Sequence, residues 1–355
     1  MFQKIARAGQ TTQVLSNILG QAVAVGGGTV ATVGGWVEVG RTTLGSAGDS
    51  IDVTSLPDKQ YYMILRFIIS SGNTVVYNKL NDDGGTNYAS RASENGGTDG
   101  TSTEDTSVIY DTGGDAGDKF DITYISNIAG KEKLALGQQN NEDASGAGNA
   151  PVRGEFAWKW SNTSDPIDQI ETLNTGQSGN YDTGSEVVVL GWDPDDTHTL
   201  DDNFWEELAS QDIETGSQMT ANFTAKKYLW IQFYFITSST SNELFFNNDQ
   251  QDNYARRYSN NFGTDVTTID DPAITTNFGF DTLPHFGNMF VVNNTNQEKL
   301  VIANFNMQNT ATAGTAPQDT QLASKWANTS AQITRFDIKS TGTFSKCICK
   351  VWGHD

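Results

Sequence analysis

The chain contains most of itself twice. Leu80–Asp99 reads LNDDGGTNYASRASENGGTD and Phe246–Asp265 reads FNNDQQDNYARRYSNNFGTD. Asn81, Asp83, Asn87, Tyr88, Ala89, Arg91, Ser93, Asn95, Gly97, Thr98 and Asp99 all recur 166 positions later. The same offset carries Glu132-Lys133-Leu134 onto Glu298-Lys299-Leu300 and Ala150-Pro151 onto Ala316-Pro317. It also carries KWSNTS at Lys159–Ser164 onto KWANTS at Lys325–Ser330, and Thr175-Gly176 onto Thr341-Gly342. A correspondence without a gap from residue 80 to residue 176 is a duplication. Upstream the offset drifts by one, pairing Lys59-Gln60-Tyr61 with Lys226-Lys227-Tyr228. Trp36 and Trp205 mark where each copy begins. Near the end the second copy is shorter, and Trp192 is paired with Trp352.

Four segments follow: an N-terminal arm, residues 1–35; copy 1, residues 36–196; an acidic linker, residues 197–203; and copy 2, residues 204–355. Each copy reads as β. KQYYMILRFIIS (Lys59–Ser70) and KKYLWIQFYFIT (Lys226–Thr237) are aromatic and β-branched runs that suit strands buried on both faces. Shorter runs, such as Phe120–Ile125, Gly154–Trp160 and Glu186–Trp192 in copy 1, are separated by Gly, Asn and Asp clusters. With 35 Gly against 7 Pro, the punctuation is that of turns between strands. Seven or eight short strands per copy predict an all-β protein of two tandem jelly-roll-like β-sandwiches. Gly96–Gly117, rich in Gly, Ser, Thr and Asp, reads as a surface loop inserted in copy 1. In the arm, Phe2, Ile5, Val14, Leu15, Ile18, Leu19, Ala22 and Val23 fall near helical spacing, and Gly26-Gly27-Gly28 would end such a helix. An apolar arm of this kind either packs on its own domain or reaches a neighbouring subunit.

The formal charge of −21 works against unaided contact with nucleic acid or anionic lipid. No apolar run approaches the ~18 residues of a membrane-spanning helix. The two cysteines, Cys347 and Cys349, share one face of a strand, where they are poorly placed to bond to each other. So few cysteines fit synthesis in a reducing compartment.

Little in the sequence points to catalysis. His198, His285 and His354 have no counterparts in the other copy, and no nucleophile, zinc-protease or P-loop motif is present. The acids present in both copies are Asp83/Asp249, Asp99/Asp265 and Glu132/Glu298, and nothing pairs them as a glycosidase would. The loops Asn81–Asn87 and Asn247–Asn253 offer oxygen ligands of the kind calcium takes, but Asn there also favours tight turns, the reading preferred here. Tyr88 with Arg91, and Tyr254 with Arg257, could hold a sugar or a partner's carboxylate; the preferred reading is a core tyrosine and an arginine paired with Asp99 or Asp265. Asn162-Thr163-Ser164 matches a glycosylation acceptor by accident. No catalytic, cofactor or metal residue is assigned.

FNND…NYARRYSNNFGTD, KWANTSAQI and the closing KVWG resemble repeated modules in virion proteins of marine tailed phages. The resemblance covers both copies. It implies a β-sandwich and a non-enzymatic role in particle assembly or host-surface contact, as a tail fibre, an appendage or a capsid-associated protein. It also implies residence in the virion after synthesis in the host cytoplasm. The partners expected are copies of itself, other virion proteins and a host-surface glycan, with no nucleic acid. Two alternatives stand beside it: a double jelly-roll major capsid protein and a carbohydrate-binding, lectin-like module.

Overall fold

The computed structural model describes residues 35–109, 116–197, 200–276, 283–308 and 313–355, with the backbone of two short strands nearer the N-terminus. Those two, β1 (Gln13–Val14) and β2 (Val23–Ala24), pair antiparallel. The helix expected across Phe2–Val23 otherwise lies outside the described residues, and the ladder excludes one continuous helix through both strands.

Copy 1 holds β3 (Val37–Thr43), β4 (Ser50–Thr54), β5 (Tyr61–Ile68), β6 (Tyr77–Leu80), β7 (Tyr88–Glu94), β8 (Gly100–Asp105), β9 (Val108–Ile109), β10 (Lys119–Ser126), β11 (Lys133–Asn141), β12 (Val152–Trp160), β13 (Gln169–Leu173) and β14 (Glu186–Trp192). Copy 2 holds β15 (Glu206–Ile213), β16 (Gln218–Asn222), β17 (Tyr228–Thr237), β18 (Asn242–Phe246), β19 (Tyr254–Asn260), β20 (Val266–Asp271), β21 (Thr275–Thr276), β22 (His285–Val292), β23 (Lys299–Met307), β24 (Gln318–Trp326), β25 (Arg335–Ser340) and β26 (Phe344–His354).

In copy 1 an eight-stranded sheet runs β3-β14-β5-β10-β11-β12-β7-β8 and faces a four-stranded sheet, β4-β13-β6-β9. Copy 2 repeats this as β15-β26-β17-β22-β23-β24-β19-β20 over β16-β25-β18-β21. Setting aside the hairpins β7–β8 and β11–β12, the remaining eight strands pair in the order 1-8-3-6 and 2-7-4-5, which is a jelly roll. The two hairpins lengthen the larger sheet. Twelve strands per copy exceed the seven or eight expected. The unforeseen ones, such as VEVGRTT in β3, YASRASE in β7 and GTSTED in β8, carry no apolar run. The stretch read as an inserted loop, Gly96–Gly117, contributes β8 and β9.

Strand register corrects the pairing of tryptophans. Tyr61 stands opposite Trp192 and Met63 opposite Leu190; Tyr228 stands opposite His354 and Trp230 opposite Trp352. Trp352 therefore corresponds to Leu190, and His354 to Trp192. Gly191 and Gly353 correspond as well, each with its lysine partner, Lys59 or Lys226, close against the Cα. Trp36 and Trp205 do correspond, because Val37 pairs with Gly191 and Glu206 with Gly353.

Three apolar clusters hold the molecule together. One lies inside each sandwich. The third lies between the copies, where the outer faces of the two large sheets meet. This explains why YYMILRFI is buried almost throughout: Tyr62, Ile64 and Ile68 enter the copy 1 core, while Met63, Leu65 and Phe67 enter the core between copies. From copy 2 that shared core takes Phe204, Trp205, Tyr228, Trp230, Phe290, Val292, Leu300, Ile302 and Trp352.

Polar contacts fix the register of the two sheets. Asn140 donates to the carbonyls of Val301 and Ser324, and Gln138 exchanges amide bonds with its own counterpart, Asn304. Lys325 reaches the carbonyls of Glu142 and Ala144, and Arg153 pairs with Asp265 at 2.7 Å.

Candidate interaction surface

The repeated residues are occupied by the fold or by the contact between copies. Asn81 and Asp82, like Asn247 and Asn248, adopt positive φ, the left-handed region that short polar side chains tolerate. Asp83 accepts from the Trp160 indole at 2.6 Å, the Asn87 amide and the Gly85 backbone; Asp249 accepts from Trp326 at 2.8 Å, Asn253 and Gln251. The buried hydroxyls of Tyr88 and Tyr254 accept from the backbone N–H of Leu80 and Phe246. Each acidic loop thus anchors its domain's tryptophan. Among the described residues no group of three or more His, Cys, Asp or Glu could hold a metal ion.

Arg91 pairs with Asp99 at 3.0 Å on the surface, as the sequence suggested. In copy 2 the same pair is separated: Arg257 donates to the Pro151 carbonyl and Asp265 pairs with Arg153, both in copy 1. Glu132 pairs with exposed Lys159, whereas Glu298 and Lys325 form the same pair buried between copies. Asn162 and Asn328 each cap a turn, accepting from the N–H of Ser164 and Ser330.

His198 lies outside the described residues. His285 is buried and stacks on Phe235 at 4.6 Å, and His354 stacks on Phe204 at 4.5 Å. Cys347 and Cys349 are free and buried in the copy 2 core, where burial pushes the Cys347 thiol up to about 12.

Among the described residues, one uncommitted surface is an apolar groove on the outer face of the large copy 1 sheet. Trp36, Tyr61, Tyr124, Leu134, Leu136 and Trp192 bound a cavity of about 320 Å³. The strand alternation that sends Tyr62 and Ala135 inward turns Tyr61, Leu134 and Leu136 outward. Tyr61 stacks on Trp192 at 5.3 Å, and Trp36 lies 6.3 Å from Trp192. Leu134 and Leu136 are 56% and 61% exposed. The groove adjoins the core between copies, against which Trp36 and Tyr124 also pack. Sequence reading singled out Trp36 and Trp192 as markers of the repeat, not as neighbours in a surface. The exposure of Leu134 follows from which part of the sheet copy 2 covers, and no local pattern carries that.

No protein-family model and no curated protein matches the chain. Among solved structures, domains LG4-5 of the mouse laminin alpha1 chain are similar at 10% identity over 90% of this chain and 83% of that one, with a TM-score of 0.17. The atomic structure of Sulfolobus Turreted Icosahedral Virus is similar at 9% identity over the full length of both chains, with a TM-score of 0.15. At such scores neither likeness bears on fold or function. No helix among the described residues is long and apolar enough to cross a membrane.

Proposed function

We propose that this chain is a non-enzymatic structural protein of a virus particle, a phage virion component that assembles with copies of itself. The observation that carries the reading is the core shared by two jelly rolls. Sixteen buried residues from both copies fuse the large sheets into one body, which suits a building block better than two independently moving binding modules. The repeated polar residues fit as well, because they stabilise turns and the contact between copies. Placement on the particle, in a tail fibre, an appendage or the capsid, is part of this proposal and so is its location in the virion.

Within that class the strand order favours a double jelly-roll capsid subunit, since jelly rolls recur in viral capsids and both copies have the full order here. The inference from fold to role is by analogy. Jelly rolls also occur in lectins, and the tests separate the two. Light scattering on the purified chain at several concentrations is expected to give a stable oligomer, and electron microscopy to give rings or sheets. A monomer at every concentration that binds a glycan on an array would replace this reading with the lectin one.

A further inference from the structure

The two copies use different ends of the same sheet face where they meet. Along β5, copy 1 contributes Met63, Leu65 and Phe67; along β17, copy 2 contributes Tyr228 and Trp230. By register Tyr61 corresponds to Tyr228, Met63 to Trp230, Leu65 to Gln232 and Phe67 to Tyr234. The far end of the copy 1 face, with Phe67 and Phe120, therefore sits on the near end of the copy 2 face, with Tyr228, Leu300 and Ile302. Phe120 lies against Tyr228, their ring centres 6.4 Å apart. A contact of this head-to-tail kind leaves one half unused on each side. Here these are the near end of copy 1, which is the groove, and the far end of copy 2.

Both unused halves expose apolar side chains at positions that the contact buries. Among the described residues six large apolar side chains are exposed: Leu134, Leu136, Phe262, Val266, Ile269 and Phe286. Leu134 and Leu136 correspond to Leu300 and Ile302, and Phe286 corresponds to Phe120. Half of the exposed set thus marks the two open ends of one contact. The polar groups follow. Asn140 donates to the carbonyls of Val301 and Ser324, and its counterpart at the open end of copy 2 is exposed Asn306, again an asparagine.

We propose that a second copy of this chain covers the groove. The far end of its copy 2 sheet, led by Phe286, seats on Tyr61, Leu134 and Leu136 as Phe120 seats on Tyr228 within one chain. The duplication identifies the occupant, because the equivalent surface of copy 2 is already covered by the same sheet face of its sister copy. The inference rests on the reading that the chain assembles with itself, and it names the faces that meet. Such a contact is heterologous: chains add in one direction and end in a ring if the rotation closes, or in a filament if it does not. Where copy 1 has Leu65, Ile122 and Val188, copy 2 has Gln232, Asn288 and Lys350. Less apolar surface is buried by that set, so the contact between chains is weaker than the one within, and assembly depends on concentration.

The test compares Leu136→Asp and Phe286→Asp in the full chain by sedimentation at several concentrations. Both side chains are exposed, so each variant is expected to keep the native melting transition. Each is expected to weaken association by at least about tenfold, the factor for roughly 1.4 kcal/mol. Mixed in equal amounts, they are expected to form one-to-one pairs and nothing larger, because each variant retains the half that the other has lost. Native association by Phe286→Asp, or a mixture no better associated than its parts, would overturn these faces while leaving self-assembly in place. A native chain that is monomeric throughout would overturn both. A second arm needs no destabilising change: benzoylphenylalanine at position 136, in mixed isotopically light and heavy preparations, is expected to crosslink to β22 of the other preparation. Links within one chain, or to any other segment, would also overturn the proposal.

Discussion

Arg66 is fully buried inside the copy 1 sandwich, held by both oxygens of Asp121 at 2.8 Å, by Thr172 at 2.9 Å and by Asn78 at 3.0 Å. Register places Phe233, Gly287, Ile338 and Leu244 at these four positions in copy 2. There the Phe233 ring occupies the space a Gly287 side chain would need, with its nearest atom 2.2 Å from where a Cβ would stand. One fold has thus solved one interior position twice, by a satisfied ion pair and by an aromatic ring over glycine. The two solutions differ in what single substitutions do. Asp121→Ala strands a buried guanidinium and is expected to cost about 3–5 kcal/mol in denaturant unfolding. Transplanting the copy 2 set into copy 1, as Arg66→Phe, Asp121→Gly, Asn78→Leu and Thr172→Ile together, is expected to be neutral or stabilising. A quadruple variant as damaged as Asp121→Ala would show that the polar set also positions its neighbours.

Among the elements, β20 ends the large copy 2 sheet and exposes Val266 and Ile269, with Phe262 77% exposed at the preceding turn. Its counterpart β8 carries Gly, Thr and Ser and is a far poorer template for strand addition. Ile269→Lys is therefore expected to reduce association of the chain in sedimentation experiments while leaving its melting temperature unchanged; equal association would free this edge of that role. These edges also show where sequence reading reached its limit. KQYYMILRFIIS and KKYLWIQFYFIT announced β5 and β17 because a strand covered on both faces has no polar period to confuse it. GTSTED in β8 is a strand through its neighbour β7, and pairing across a sheet leaves no mark in an exposed polar segment. Turn residues were legible at Asn81 and Asn247, where the backbone demands them. The aromatic groove was not, since Tyr61 and Tyr228 read alike and only the placement of copy 1 over copy 2 separates them.

Across the whole molecule, the contact between copies carries buried charge that responds to pH. Asp118 lies among Glu142, Glu298, Lys119 and Lys325, and accepts from Ser70 and from Gln297 of the other copy. Burial, with Glu142 adding to it, pushes its carboxyl up to about 7. Unfolded, the group releases its proton near pH ~4. Between these values the folded chain binds more protons than the unfolded one, so this group makes stability fall as pH climbs from about 4 to about 7. Asp118→Asn should flatten that slope in melting curves taken across the window; an unaltered slope would assign it elsewhere. Glu186 acts oppositely. Burial alone would raise its carboxyl, but Lys227, the Thr43 hydroxyl and Arg41 together lower it, so its contribution disappears as pH falls below the ordinary carboxylate range. The shared core has a further consequence, for how such a chain is made. Among the described residues, the apolar core between the copies is supplied by residues on either side of the connection through residues 193–203. If the chain is divided there and both halves are synthesised in one cell, they should find each other and co-purify as a pair, so that the connection serves to guarantee stoichiometry and speed of meeting rather than to hold the finished body together.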